Sequence, residues 1–320
     1  MIRTAECITP KHPDKICDRI SDAILDECLT QDPNSRVAVE TMGGHGRIYV
    51  TGEVTTNAIL EIPQIVERVY GKDFTIDVNI VKQSNFIAQG VDTGGAGDQG
   101  IMVGYACNEN EEMIPQELYL ARQLCKRIYK LYPYDGKTQI TLDDGEIKTI
   151  VASFQNAPKE ALEQIITEWL EYKTDGIEIH CNPAGDWDMG GFDADAGVTG
   201  RKLVVDNYGP RVPIGGGAFS GKDSSKVDRS AAYMARKMAV DTIKETNASE
   251  VYVYLAYAIG YNKPVQATII VDGKTIDKPG LVDTVYDLSP NGIVSTLGLK
   301  EPKFEKTAEW GHFGNGFTWG

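Results

Sequence analysis

The chain has 320 residues, 42% of them hydrophobic and 24% charged, and a formal net charge of −14 at pH 7. This is the composition of a soluble globular protein with room for two or three domains, and its negative balance excludes nucleic acid or an anionic membrane as the main partner. No signal peptide opens the chain, and no apolar run approaches the length of a membrane span, so a cytoplasmic protein is expected.

Six scattered cysteines form no C-x-x-C and read as reduced core thiols. Four histidines lack zinc-site spacing. Residues 13–29 read as a helix: Pro13 suits its first position, and Ile16, Ile20, Ile24 and Cys28 recur on one face. Strands follow at 36–42 and 47–54, then a helix over 57–70 and an alternating strand over 75–82. A strand is expected at 101–106. The pattern returns as a helix at 116–132, strands at 138–143 and 146–154 around Asp144-Gly145, a helix at 158–172 and a short strand at 177–181. A third pass has a helix at 224–245, strands at 251–258 and 265–271, and a helix at 279–287. Helix, paired strands and helix thus recur three times without matching residues. The pattern predicts an α/β (α+β) fold of three similar units, near 1–110, 111–200 and 201–320, intertwined in one body.

Glycine-rich connections at 83–114 and 182–223 carry the unusual residues. The stretch Gly215-Gly216-Gly217-Ala218-Phe219-Ser220-Gly221-Lys222, followed by Lys226 and Asp228, offers free backbone amides, a helix start and cations, which is chemistry for polyphosphate with Mg2+. It fits most of a P-loop, but Asp223 stands where Ser or Thr should hold the metal, and Pro210 and Pro213 spoil the strand that should precede it. The stretch therefore reads as a phosphate cradle that is not a Walker site. His12-Pro13-Asp14-Lys15 opens the first helix, where Asp14 is either a dipole-satisfying carboxylate or a Mg2+ ligand. Glu40 and Glu53 lie within strands, either on a solvated face or under another unit. Residues 89–100 pack five glycines and two aspartates before a strand. Trp187 offers a plane for a base, and Arg201 and Lys202 offer phosphate charge.

Taken together, His12-Pro13-Asp14-Lys15, Gly97-Asp98-Gln99-Gly100, Thr199-Gly200-Arg201-Lys202, the run from Gly215 to Arg229 and Gly311-His312-Phe313-Gly314 resemble the S-adenosylmethionine synthetase family over nearly the whole chain. The resemblance implies three similar α/β units around a pseudo-threefold axis, and homodimers or pairs of dimers with active sites at the interface. It implies attack of the methionine sulfur on C5′ of ATP, then hydrolysis of the triphosphate to diphosphate and phosphate, with two Mg2+ per site and K+. By the same resemblance His12 contacts the triphosphate, Asp14 and Asp228 bind Mg2+, and Glu40 is tied to K+. Glu53, Gln89, Asp195 and Lys226 match methionine positions. Asp135, Lys137, Asp186, Trp187, Asp195, Arg201, Lys202, Ala218 and Lys222 match ATP positions, and Asp98 an active-site aspartate. His12, Lys137, Asp98, Arg201 and Lys222 would carry the catalysis.

The sequence also departs from the family pattern. Only Thr93-Gly94 bridges Asp92 to Gly95, where a longer lid loop is usual, so altered kinetics are expected. Trp187 stands for a usual Phe, Asp186 for a usual Arg and Lys11 for a Gly, and the C-terminus is short. Two rival readings are a phosphotransferase using the loop at Gly216 and a non-catalytic nucleotide-binding subunit of the same fold.

Overall fold

A computed structural model describes residues 1–83, 94–276 and 285–320. The long first helix, α1 (Pro13–Gln31), follows strand β1 (Ile2–Ile8). Its Ile16, Ile20, Ile24 and Cys28 are fully buried, as their spacing requires. Then come β2 (Arg36–Gly44), β3 (Arg47–Thr55), α2 (Ile62–Val69), β4 (Thr75–Val81) and β5 (Gly100–Cys107). The second pass is α3 (Gln116–Leu131), β6 (Gly136–Asp143), β7 (Glu146–Phe154), α4 (Lys159–Trp169) and β8 (Glu178–Cys181). After β9 (Gly197–Val198) and the short α5 (Leu203–Asp206), the third pass has α6 (Val227–Thr246), β10 (Glu250–Tyr257), β11 (Gln266–Val271) and β12 (Lys274–Ile276). Helices α7 (Pro290–Leu297) and α8 (Phe304–Trp310) follow.

The strands form three four-stranded sheets, in the orders β4-β3-β2-β9, β1-β6-β7-β8 and β12-β11-β10-β5. In each sheet, most strands come from one pass of the repeat and one edge strand comes from elsewhere. β9 joins the first sheet beside Met42 and Gly43, β1 joins the second along the whole of β6, and β5 joins the third along the whole of β10. The pairs β3–β4 and β7–β8 are parallel and are connected through α2 and α4, as a parallel pair needs a crossover. Each sheet has its long helix on one face: α1 on the first, α3 on the second, α6 on the third. The first and third units share one core, and the second has its own around Ile140, Ile150, Phe154 and Leu162.

Several element boundaries differ from the sequence reading for local reasons. The helix expected over 57–70 begins only at Ile62, because Asp32 holds Asn57 through both its amide and its side chain. The helix expected to run to 172 stops at Trp169, with Glu171 and Tyr172 at positive φ. The helix expected from 224 starts at Val227, since the Asp223 carboxylate takes the Ser225 amide at 2.8 Å and folds a turn first. The helix expected at 279–287 falls largely outside the described residues. All six cysteines are buried.

Candidate active site

Two clusters of charge are built at helix starts. The first surrounds the N-terminus of α1. His12 is its N-cap, and the ring Nδ1 accepts the Asp14 amide at 3.2 Å, which leaves the ring proton on Nε2. Burial, reinforced by the Lys202 ammonium, lowers the His12 pKa to about 4, so the ring is a neutral donor at ordinary pH. Asp14 is buried; it accepts the Val198 amide at 2.9 Å and the Lys202 ammonium at 2.5 Å, with Arg201 3.6 Å away. Burial alone would raise its pKa, but the Lys202 and Val198 hydrogen bonds outweigh that and lower it. Lys137, exposed on β6, and Asp195, exposed before β9, both act on the His12 ring electrostatically.

The second cluster surrounds the start of α6. Lys222 donates to Asp228 at 2.7 Å, and Lys226, the N-cap residue, donates to Asp223 at 2.5 Å. Asp223 also takes the Val37 amide at 2.7 Å, and Val39 donates to the Gly221 carbonyl at 3.1 Å, so the glycine loop is stitched along β2. This places Lys222 over the helix-free face of the first sheet. There Glu40 and Glu53, with Ala38, Thr51, Ser220 and Lys222, line a cleft of about 250 Å3. Ala218 lies against Gly200, so the two loops touch. Among the described residues no hydrogen bond or ion pair joins the Asp14 cluster to the Asp228 cluster.

Three family models cover the chain: "S-adenosylmethionine synthetase, N-terminal domain" over residues 1–85, the central domain over 93–187 and the C-terminal domain over 189–320. The chain belongs to the S-adenosylmethionine synthetase family. It is also 40% identical to the S-adenosylmethionine synthase of Clostridium tetani (strain Massachusetts / E88), across 97% of this chain and 93% of that protein. That alignment runs over 368 positions, more than the 320 residues of this chain, so the relative carries segments absent here.

Against that S-adenosylmethionine synthetase background, His12, Asp14, Lys137, Asp195, Arg201 and Lys202 gather at one loop cluster, and Ala218, Lys222, Lys226 and Asp228 at its neighbour. Asp135 takes the Gly191 amide at 3.0 Å and so ties the Trp187 loop to β6. Trp187 itself is partly exposed. Asp186 supports the backbone: it takes the Lys159 amide at 3.1 Å and the Asn182 side chain at 2.9 Å. It thereby caps α4, whose own N-cap is a proline with no side-chain acceptor. Asp98 is half-buried and bonds its neighbour's amide, Gln99, at 2.8 Å. Gln89, Asp92 and Thr93 of the Thr93-Gly94 bridge lie outside the described residues. His312 is a core residue: its Nδ1 pairs with the Tyr233 hydroxyl at 2.8 Å, and its ring packs on Phe219 of the glycine loop.

The P-loop rival loses its geometry. Residues 210–214 form no strand, and α6 begins five residues beyond Lys222. The sequence reading missed the groups that hold the loops in place. Arg229 is buried in a two-pronged pair with Asp22 at 2.6 and 2.8 Å, and Lys15 is buried between Asp206 and Asp18 at 2.6 and 3.2 Å. A signal was available, since Asp14, Asp18, Asp22 and Asp26 recur every fourth residue along α1.

Proposed function

We propose that this chain makes S-adenosylmethionine from ATP and L-methionine, and that its two cation clusters hold the triphosphate that leaves. The observation that carries the reading is a set of cationic side chains, Arg201 and Lys202 on one loop beside Lys137 of β6, and Lys222 and Lys226 on a second loop that touches the first, in a protein whose net charge is −14. A thioether attacks as a neutral nucleophile and needs no base. What remains for the protein is to align sulfur, C5′ and the departing oxygen, and to stabilise the charge on the leaving group. A neutral His12 with its proton on Nε2 donates to that oxygen without needing to lose or gain a proton. Lys202 and Lys222, each now paired with an aspartate, exchange that partner for phosphate oxygens. Trp187 supplies an apolar plane for the adenine ring. The bound triphosphate is then hydrolysed to diphosphate and phosphate.

Asp14 and Asp228 fit the role of Mg2+ ligands. Among the described residues no three His, Cys, Asp or Glu side chains converge, and Mg2+ in phosphate sites takes one or two carboxylates and fills the rest with water and phosphate oxygens. The metal would neutralise triphosphate charge there, and Glu40 in its cleft would serve K+. We further read the working unit as a homodimer with the site at the interface. The helix-free face that carries Glu40 and Glu53 also exposes Met42 and Tyr49, which are paired across β2 and β3, and Ile101 lies exposed on β5. Exposed apolar groups of this kind on strands suit burial against a second copy.

Among the described residues no helix is long and apolar enough to cross a membrane. Phosphorus NMR of a turnover mixture tests the reaction class. Diphosphate and phosphate in equal amounts, with no ADP, is the expected result; accumulating ADP would put the chain among phosphotransferases.

A further inference from the structure

We infer that Asp18 and Asp22, both buried beneath the loops, are the positioning residues that set the two cationic phosphate loops against α1. Each accepts the backbone amide of the glycine immediately before the cation in question. The Gly200 amide donates to Asp18 at 2.8 Å and precedes Arg201-Lys202; the Gly221 amide donates to Asp22 at 2.8 Å and precedes Lys222. Both carboxylates are buried, at 2% and 0% exposure, so they act through their protein partners and not on a ligand in solvent. Both glycines sit at positive φ, +82° and +80°, which lets the chain turn its next side chain away from the helix at that point.

Their spacing explains why one helix can do this for two loops far apart in sequence. Asp18 and Asp22 are four residues apart and lie on one face, so the anchored amides are separated by about 6 Å along the helix axis. The second oxygen of each carboxylate fixes its own position. Asp18 also meets Lys15, which is shared with Asp206. Asp22 also meets Arg229, in the first turn of α6 and next to Asp228. Asp26, one turn further on, has the same anchoring chemistry and no link to the loops. It accepts the amides of Lys303, Phe304 and Glu305, each at 2.9 Å. It therefore provides an internal control for a merely structural role.

The proposal rests on the reading of Arg201, Lys202 and Lys222 as triphosphate ligands, so the probe is inorganic tripolyphosphate with Mg2+, titrated into the full-length protein by calorimetry well below its melting temperature. Asp18→Ala removes the anchor of Gly200 while Lys15 keeps Asp206. It should weaken tripolyphosphate binding about tenfold, the equivalent of ~1.4 kcal/mol, and lower kcat while the KM for methionine holds. Asp18→Asn keeps an oxygen for the Gly200 amide and should restore affinity to within about twofold of wild type. Asp26→Ala should lower the melting temperature and leave tripolyphosphate affinity unchanged. Equal affinity in Asp18→Ala and wild type would overturn the proposal, as would an equal loss in Asp26→Ala. Wild-type protein that binds no tripolyphosphate would overturn the phosphate reading itself, and this proposal with it.

Discussion

Gly217 gives a way to move one carboxylate by a known amount while leaving the fold alone. A methyl group at this position would lie 2.3 Å from Cγ of Asp228 and 2.4 Å from its Oδ2, the oxygen that Lys222 holds. Contacts under 3.0 Å do not occur, so the carboxylate must retreat by at least about 0.7 Å. The Gly217 backbone is not among those at positive φ, and an alanine there brings no left-handed strain. Its effect on stability should be small, within about 1 kcal/mol, and partly offset by the lower entropy of the unfolded chain. Misplacing a group in a preorganised site by about 1 Å costs on the order of a hundredfold in rate. Gly217→Ala should therefore lose about a hundredfold in kcat with a melting temperature close to wild type. Gly216→Ala, with nothing within 4 Å, should behave as wild type in both. The assay is sulfonium product by chromatography beside a thermal melt. If Gly217→Ala turned over within threefold of wild type, the reasoning that places Asp228 in the working site would be wrong.

Other expectations follow from the same geometry. The His12 pKa, lowered to about 4 from 6.5, means that the unfolded chain takes up a proton first as pH falls. His12 then lends no pH dependence to stability above about 6.5 and makes the protein progressively less stable between about 6.5 and 4. Carbon-13 NMR of labelled histidine, assigned with His12→Asn, should show no His12 titration above pH 5; a midpoint near 6.5 would refute the neutral-donor role. Arg229→Met leaves Asp22 buried without its partner and should cost about 3–5 kcal/mol in urea unfolding; a loss under 1 kcal/mol would show that the pair carries little. Asp14→Asn and Lys222→Ala should each be inactive alone. If one site takes Asp14 from one chain of a dimer and Lys222 from the other, random co-assembly of the two should recover about a quarter of wild-type activity, and no recovery would mean that both residues of a site come from the same chain.

Much of the fold was legible because its signals are local. Ile16, Ile20, Ile24 and Cys28 announce α1, and Asp144-Gly145 announces the β6–β7 hairpin. β1 was not, although it forms a full edge of the second sheet, because its partner β6 lies more than a hundred residues downstream. β9 is only two residues long and gains its identity from Met42 and Gly43. In the site, residue types pointed to Asp14, Arg201, Lys202, Lys222, Lys226 and Asp228, while Lys137, Asp135 and Asp195 came only with the family resemblance. The supports were harder to read: Asp22 and Arg229 are 207 residues apart, and Asp18 and the Gly200 amide are 182 apart. Asp186 shows what residue type leaves out, since a carboxylate that the resemblance matched to an ATP position also holds the N-terminus of α4. Its partner, the Lys159 amide, follows Pro158, and only the three-dimensional arrangement reveals that a proline-capped helix borrows its acceptor from that loop.

The central claim is that sulfur displaces the whole triphosphate from C5′. Mass spectrometry of the nucleoside product, formed by purified protein from ATP and methionine with Mg2+ and K+, tests it most directly. The account predicts the intact adenosyl sulfonium of methionine, formed in proportion to ATP consumed. ADP, or adenosine without sulfur, as the adenine-containing product would contradict it.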